Sequence, residues 1–373
     1  MTRVRVRSEA LRAASARLGE AADELRQVAA AVRAALARCR SPGLDPTALV
    51  AWWRVETDGV RIVGPAGLWG VALGLDALAT RLSVAARAYA QVEDAVAATM
   101  AGVRVGADLG ACCGYLGEGG AAVSVRPVPA VGAVSPLTGP ADLVALGDGL
   151  DGGRVRVVEL DDGAGGSAWV VAVPGTQEWS PRSGPNPFDL TSDVRAVTGD
   201  ATLAAAGVTA ALERAWAASG GPGRHRSDPV LLVGHSQGGI LAAALAADPG
   251  FRAGHRVTHL LTTGSPVGAF PVPASVRVLS VEHADDPVPT LDLTPNPARS
   301  SWLTLRVGAG PPVDVGRHAL AGYVTTMRAA EGAPRGTVSG LGAWEASAGP
   351  FLHRPVRSVH EVVVERGWQN PPT

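Results

Sequence analysis

Lysine is absent from this chain: all 33 basic residues are arginine. Beside abundant Ala, Gly and Val, that absence reads as codon bias of a GC-rich genome and assigns the arginines no role. Cysteine is scarce. Cys39, Cys112 and Cys113 give an odd count with one adjacent pair, which excludes a disulfide framework and fits no zinc spacing. They are expected to be small buried thiols. With four Phe and three Tyr, aromatic stacking on a nucleobase or sugar is not indicated. The formal net charge of −1 leaves no basic field for a nucleic acid. No run of about eighteen uncharged apolar residues occurs, so no transmembrane helix is expected. The opening MTRVRVRSEALR has charges throughout and no apolar stretch, so no secretory signal is expected. What the chain does have is 373 residues, 46% of them apolar, enough for two domains and a sizeable core.

Three regions separate on pattern. Residues 1–110 are Ala-rich and helical, residues 111–141 form a Gly/Pro-rich linker, and residues 142–373 alternate apolar strands with helices, the signature of an α/β sheet. In the first region Val4, Leu11, Leu18, Leu25, Val32 and Cys39 recur every seventh residue. Small residues, Ala14, Ala21, Val28 and Ala35, follow three places on. A second stripe runs through Val71, Leu75, Leu78, Leu82, Ala85, Tyr89, Val92 and Val96. Such stripes are coiled-coil seams, and a single helix of ~50 Å (1.5 Å per residue) cannot bury its own seam. An all-α antiparallel hairpin is therefore expected, joined through residues 41–69. Trp52, Trp53 and Trp69 are expected to pack its tip.

This region resembles the helical-hairpin substrates of type VII secretion, the Trp-x-Gly family. Tyr89 and Glu93 match that family's Tyr-x-x-x-Asp/Glu element late in the second helix. Trp69 is followed directly by Gly70, without the intervening residue. The resemblance implies export without a signal peptide. Plain core packing of Tyr89 and a cytoplasmic protein whose hairpin binds a helical partner or a second copy stay open beside it.

The sharpest chemical signal is the run from Pro229 to Ala247, PVLLVGHSQGGILAAALAA. A short apolar run over 230–233 reads as a buried parallel strand, and 240–247 reads as a helix. Strand, Gly-x-Ser-x-Gly turn, helix is a nucleophile elbow. Gly234 and Gly238 lack Cβ atoms and let strand and helix pass closely, while Ser236 takes a strained conformation at the helix N-terminus. Acyl transfer also needs an oxyanion hole. One donor is expected to be the N–H of Gln237. The second is expected after the strand 168–173, at Thr176, through its N–H or its hydroxyl.

The chain order Ser, Asp, His points to Asp286 after the strand 276–282, with Asp285 as the alternative, and to His318 after the strand 302–307. His360 alternates within an apolar strand and is expected to be structural. The loop 177–189 carries Trp179 and Phe188, which could line an acyl pocket or lie on a Pro-rich surface loop.

Residues 165–325 resemble the class 3 (fungal-type) lipases of the α/β-hydrolase superfamily. The matching elements are Gly175-Thr176, then Gly234 to Gly239, then Thr263-Gly264-Ser265-Pro266-Val267-Gly268, then Asp286-Pro-Val-Pro289, then His318. Gln237 stands where that family more often has Leu; Gln there also occurs in cutinases and some acyl thioesterases. The resemblance implies an α/β-hydrolase-type, mostly parallel sheet with flanking helices. It also implies serine hydrolysis of an acyl ester or lipid without metal or organic cofactor, with a hydrophobic ester as the expected substrate. An acyl thioesterase or cutinase-like enzyme, and an interaction protein with an inert hydrolase body, are the alternatives.

Overall fold

The computed structural model describes residues 8–38, 46–118, 122–132, 134–162, 165–308, 314–334 and 336–367. The chain divides into two compact units, Met1–Ala97 and Ala98–Thr373.

The first unit holds α1 (Ser8–Arg38), α2 (Pro46–Val63) and most of α3 (Leu68–Cys112). Helices α1 and α3 run antiparallel. Ser15 Oγ donates to the Ala79 carbonyl at 2.8 Å, Arg26 pairs with Asp76, and the Arg33 guanidinium lies 5.8 Å over the Trp69 ring. The expected stripes keep to the covered face, with Leu11 buried and Leu18, Leu25, Val32, Leu75 and Leu82 half-buried, but their companion positions are shifted by one residue. Ala22, Ala29, Ala72 and Ala86 are fully buried, whereas Val28, Val71 and Leu78 are exposed. Alanine allows the closest approach of two backbones, and that packing outweighs burial of a few larger side chains. The segment 41–69, expected only to join the helices, contains α2, whose Gly59 abuts Leu36. Trp53 is exposed instead of packed. The stretch Leu49–Arg87 is long and apolar enough to cross a membrane by length and composition alone, and 11% of its most apolar window is buried. The expectation of no such span rested on uninterrupted apolar runs; this stretch is interrupted by charges at Arg54, Glu56, Asp58, Arg61, Asp76, Arg81 and Arg87, and it is divided between α2 and α3. Tyr89 and Glu93 lie on α3, and their side chains fall outside the described residues, as does Cys39.

The second unit continues through β1 (Ala122–Val128), α4 (Pro140–Ala145), β2 (Arg154–Asp161), β3 (Ser167–Val173), α5 (Leu190–Val197), α6 (Leu203–Ala218) and α7 (Pro222–His225). There follow β4 (Val230–His235), α8 (Gln237–Ala247), α9 (Pro249–Gly254), β5 (Val257–Thr263), β6 (Arg277–His283), β7 (Trp302–Val307), α10 (Leu320–Gly332), α11 (Leu341–Ser347) and β8 (Val356–Gly367). The strands form one eight-stranded sheet in the order β1-β8-β2-β3-β4-β5-β6-β7. From β3 to β7 every pairing is parallel, and β1, β8, β2 and β3 pair antiparallel. This is a mixed α/β fold with a mostly parallel sheet, flanking helices and helices before it.

Two expectations change here. The stretch read as a linker contributes β1, because Val123 and Val125 pack on the core beside β8. The C-terminal strand β8 lies inside the sheet, between β1 and β2. His360 lies within it opposite Val157, with Nε2 2.8 Å from Ser358 Oγ, a sheet position as expected. Cys112 and Cys113 are free and exposed at the end of α3, not buried, because the helix ends there without a covering layer.

Alternate strand residues feed two cores. Trp169, Val171, Leu232 and Leu260 pack with Val208, Leu212 and Trp216 of α6 and Ile240 and Leu241 of α8. Val170, Leu231, Leu261 and Leu279 pack with Leu143 of α4, Tyr323 and Met327 of α10 and Trp344 of α11. Each large side chain so buried stabilises by roughly 1.5–3 kcal/mol. The sheet is thus covered on both faces, and its functional groups must emerge at the strand ends.

Candidate active site

Backbone geometry builds the centre of the site. Ser236 sits between β4 and α8 at φ 55°, ψ −126°, a conformation L-residues rarely hold. A Cβ on Gly234 would collide with the Gly238 backbone, and one on Gly238 with the Val173 backbone. The two glycines therefore let the turn close against the end of β3. The N–H of Ser236 is held by the Thr263 carbonyl at 3.0 Å.

Side chains from distant loops converge on that hydroxyl. His318 Nε2 lies 2.9 Å from Ser236 Oγ, and His318 Nδ1 lies 2.7 Å from Asp286 Oδ2. With Asp286 ionised, Nδ1 carries the proton and donates, which leaves the Nε2 lone pair facing the Ser236 hydroxyl. His318 ends a short 3-10 turn, Val315–His318, just ahead of α10 and not within it. Asp286 is buried. Its Oδ1 accepts from the Val288 N–H at 2.9 Å, and its Oδ2 accepts a further hydrogen bond from Tyr323 Oη at 2.6 Å. Burial by itself would raise the Asp286 carboxyl. The hydrogen bonds from His318, Tyr323 and the Val288 N–H outweigh burial, and the group is held below the ordinary carboxylate range. Asp285, the alternative acid, pairs with Arg317 at 3.1 Å and stands outside this chain of bonds.

The His235 ring lies 4.7 Å from that of His318, tilted by 36°, and its Nδ1 faces the Thr263 carbonyl at 3.0 Å. Burial, and then the neighbouring His318, lower its titration to about 4, so it stays neutral and adds no charge beside His318. His283 is stacked on Tyr323 at 3.9 Å and anchored to Arg317 O and Thr326 Oγ1, which fixes the tyrosine against Asp286.

Tyr323 is the clearest group that sequence reasoning did not assign. A hydrogen bond to a charged acceptor is worth about 1.5–3 kcal/mol, so Tyr323→Phe should destabilise the neutral-pH fold by an amount of that order. The sign in pH follows from the depressed carboxyl. Asp286 contributes stability above its unfolded value, and that contribution is lost as pH falls through its folded value. Removing Tyr323 Oη raises the folded value, so acid unfolding should begin at a higher pH than in the wild type. An unchanged midpoint in an acid titration followed by circular dichroism would contradict the assignment.

Gly175 and Thr176 follow β3, with Gly175 packed against the His235 carbonyl and the Ser236 side chain. Among the described residues no acceptor takes up the N–H of Thr176 or of Gln237. The Thr176 hydroxyl, in contrast, is engaged: it donates to Asp193 Oδ2 at 2.9 Å. Of the two groups expected at Thr176, only the N–H is open. The Gln237 side chain is buried and donates from Nε2 to the Asp189 carbonyl at 2.7 Å. It points into the protein, so it does not select a leaving group.

A cleft of about 290 Å³ adjoins the site, lined by the loop 147–151, Pro174 to Gln177 and Leu320. Gln177 holds that loop by accepting from the Gly153 N–H at 2.7 Å and donating to the Leu150 carbonyl. Trp179 and Phe188 do not line this cleft. Phe188 is fully buried in the core, and Trp179 stands exposed on its loop. The loop is closed at its base, where the Gln177 N–H meets the Phe188 carbonyl at 2.8 Å, and this pairing turns Phe188 inward. Among the described residues no group of three or more His, Cys, Asp or Glu is arranged to hold a metal ion.

Two of the three comparisons with known proteins give nothing: no curated protein and no solved structure matches the chain. Residues 219–300 match the PGAP1-like alpha/beta domain, a hydrolase-like α/β family. The matched segment runs from the end of α6 past β6 and contains Ser236 and Asp286; Thr176 and His318 lie outside it. Fold and match together indicate a protein of hydrolase type.

Proposed function

We propose that this chain is a serine hydrolase of carboxylic esters with a short acyl or small polar part. The observation that carries the reading is the unbroken hydrogen-bond chain Ser236–His318–Asp286 on a strained turn. In the reaction, Ser236 Oγ attacks the carbonyl carbon as His318 Nε2 takes its proton. Asp286 stabilises the imidazolium and fixes its orientation. The N–H groups of Thr176 and Gln237 receive the developing oxyanion, helped by the N-terminus of α8. Collapse expels the alcohol, which takes the proton from His318. Water, deprotonated by the same imidazole, then attacks the acyl-enzyme; the acyl–Oγ bond breaks as His318 returns the proton to Ser236 Oγ, and the acid product leaves. Labelling by a fluorophosphonate probe tests this directly: the wild type should label at Ser236, and a wild type that does not label overturns the reading.

The cleft supports the choice of substrate size. At about 290 Å³, lined by Asp148, Asp151, Thr176 and Gln177 together with Leu150, Pro174 and Leu320, it lies at the lower end of ligand pockets, which span roughly 300–1,000 Å³. It suits a small polar ester better than the hydrophobic one implied by the lipase resemblance. The expected result is kcat/KM for p-nitrophenyl acetate or butyrate at least about tenfold above that for the palmitate, a difference of about 1.4 kcal/mol in transition-state binding. Equal or reversed preference would contradict it.

A further inference from the structure

Buried acceptors without donors sit one residue behind the open N–H groups. Asp193, in the first turn of α5, accepts from Thr176 Oγ1 on Oδ2, and its Oδ1 is buried without a partner. The Gln237 carboxamide adjoins that carboxyl, and its Oε1 is also buried without a partner. Exchanging the amide's oxygen and nitrogen does not help. It would set Oε1 against the Asp189 carbonyl, which Nε2 now satisfies. Two oxygens that only accept cannot satisfy each other; one proton between them satisfies both.

We propose that Asp193 is a positioning residue that, as a neutral carboxylic acid, bridges Thr176 and Gln237 and so holds the two oxyanion donors in register. This rests on the serine-hydrolase reading. On Oδ1 the proton donates to Gln237 Oε1, while Oδ2 still accepts from Thr176. The charges around Asp193 agree. Asp189, the N-cap of α5, is paired with Arg366 at 2.6 and 3.1 Å, and Arg366 also holds Glu118. That guanidinium from β8 is engaged, and Asp189 repels a second negative charge. The α5 N-terminus and the Thr176 hydroxyl favour the carboxylate. Burial first, reinforced by Asp189, overrides both these and the Gln237 side-chain amide, which also favours the carboxylate, and raises Asp193 to about 7. Ionisation would remove the bridging proton and place a negative charge behind the site where the oxyanion develops.

The test compares wild type, Asp193→Asn and Asp193→Ala on p-nitrophenyl butyrate from pH 5 to 9, with fluorophosphonate labelling alongside. Asparagine keeps one acceptor and one donor but cannot ionise. Wild-type kcat should fall on the alkaline side. Asp193→Asn should retain most of the pH 6 rate and lose that alkaline fall. Asp193→Ala should lose about tenfold or more in kcat with little change in KM. Infrared difference spectra should show a protonated carboxyl band in the wild type that titrates near pH 7 and is missing in Asp193→Asn. A wild type that labels at Ser236 but shares its pH profile and carboxyl bands with Asp193→Asn overturns this proposal and leaves the hydrolase reading standing. A wild type that neither labels nor turns over overturns both.

Discussion

Ser236→Ala is expected to reduce turnover of p-nitrophenyl butyrate by about 10⁴-fold or more, since loss of the nucleophile removes the covalent pathway entirely. The fold should survive. Alanine is no more strained than serine at φ 55°, and the main lost contact is the hydrogen bond to His318. A stability change within about 1 kcal/mol is expected. Urea unfolding with the same midpoint, beside an esterase assay at background, is the predicted pair of results. A variant that keeps wild-type activity would remove Ser236 from the reaction, and His318 and Asp286 with it, because their positions have meaning only through that hydroxyl.

The largest loss of stability is expected from Glu361→Ala. Glu361 on β8 stands opposite Arg156 on β2, accepting from Arg156 Nε at 2.8 Å and from Arg154 Nη1 at 3.0 Å. Its side chain and that of Arg156 are buried. Breaking a buried pair by removing one partner costs about 3–5 kcal/mol, because an uncompensated charge is left in a medium that solvates it poorly. The same guanidinium donates to the Leu146 carbonyl at 2.8 Å and approaches the Asp148 carbonyl, so it also ties to the sheet the wall of the cleft proposed to take substrate. Glu361→Ala should therefore lower the urea midpoint and raise KM together. A midpoint within the error of wild type would show that water reaches the arginine and that the pair is not buried in solution.

The α/β class and the tight turn at Ser236 were legible in the sequence because each rests on local rules. A buried strand is a short apolar run. The tight turn needs glycines at fixed spacing around Ser236. An acid and a base at successive strand ends fall on the rim where a parallel sheet exposes its loops. The companion positions of the N-terminal seam lie one residue from those expected, because two stripes, one larger and one smaller, run side by side on each helix. Their choice is made by how closely the helices approach, which no single helix encodes. Phe188 was misplaced for a related reason: a loop residue turns inward or outward according to the pairing at the loop's base, here between Gln177 and Phe188.

By itself the sequence determined the α/β class and the tight turn at Ser236, and it narrowed the groups expected beside that turn to His318 and one of Asp285 and Asp286, through spacing, glycine placement and chain order. Only the tertiary structure decided that Asp286 rather than Asp285 meets His318, that Tyr323 shares its oxygen, and that the Thr176 hydroxyl is taken up by Asp193. These are contacts between groups far apart in the chain. Their partners are fixed by burial and by the direction of each side chain, and neither exists until the sheet has closed.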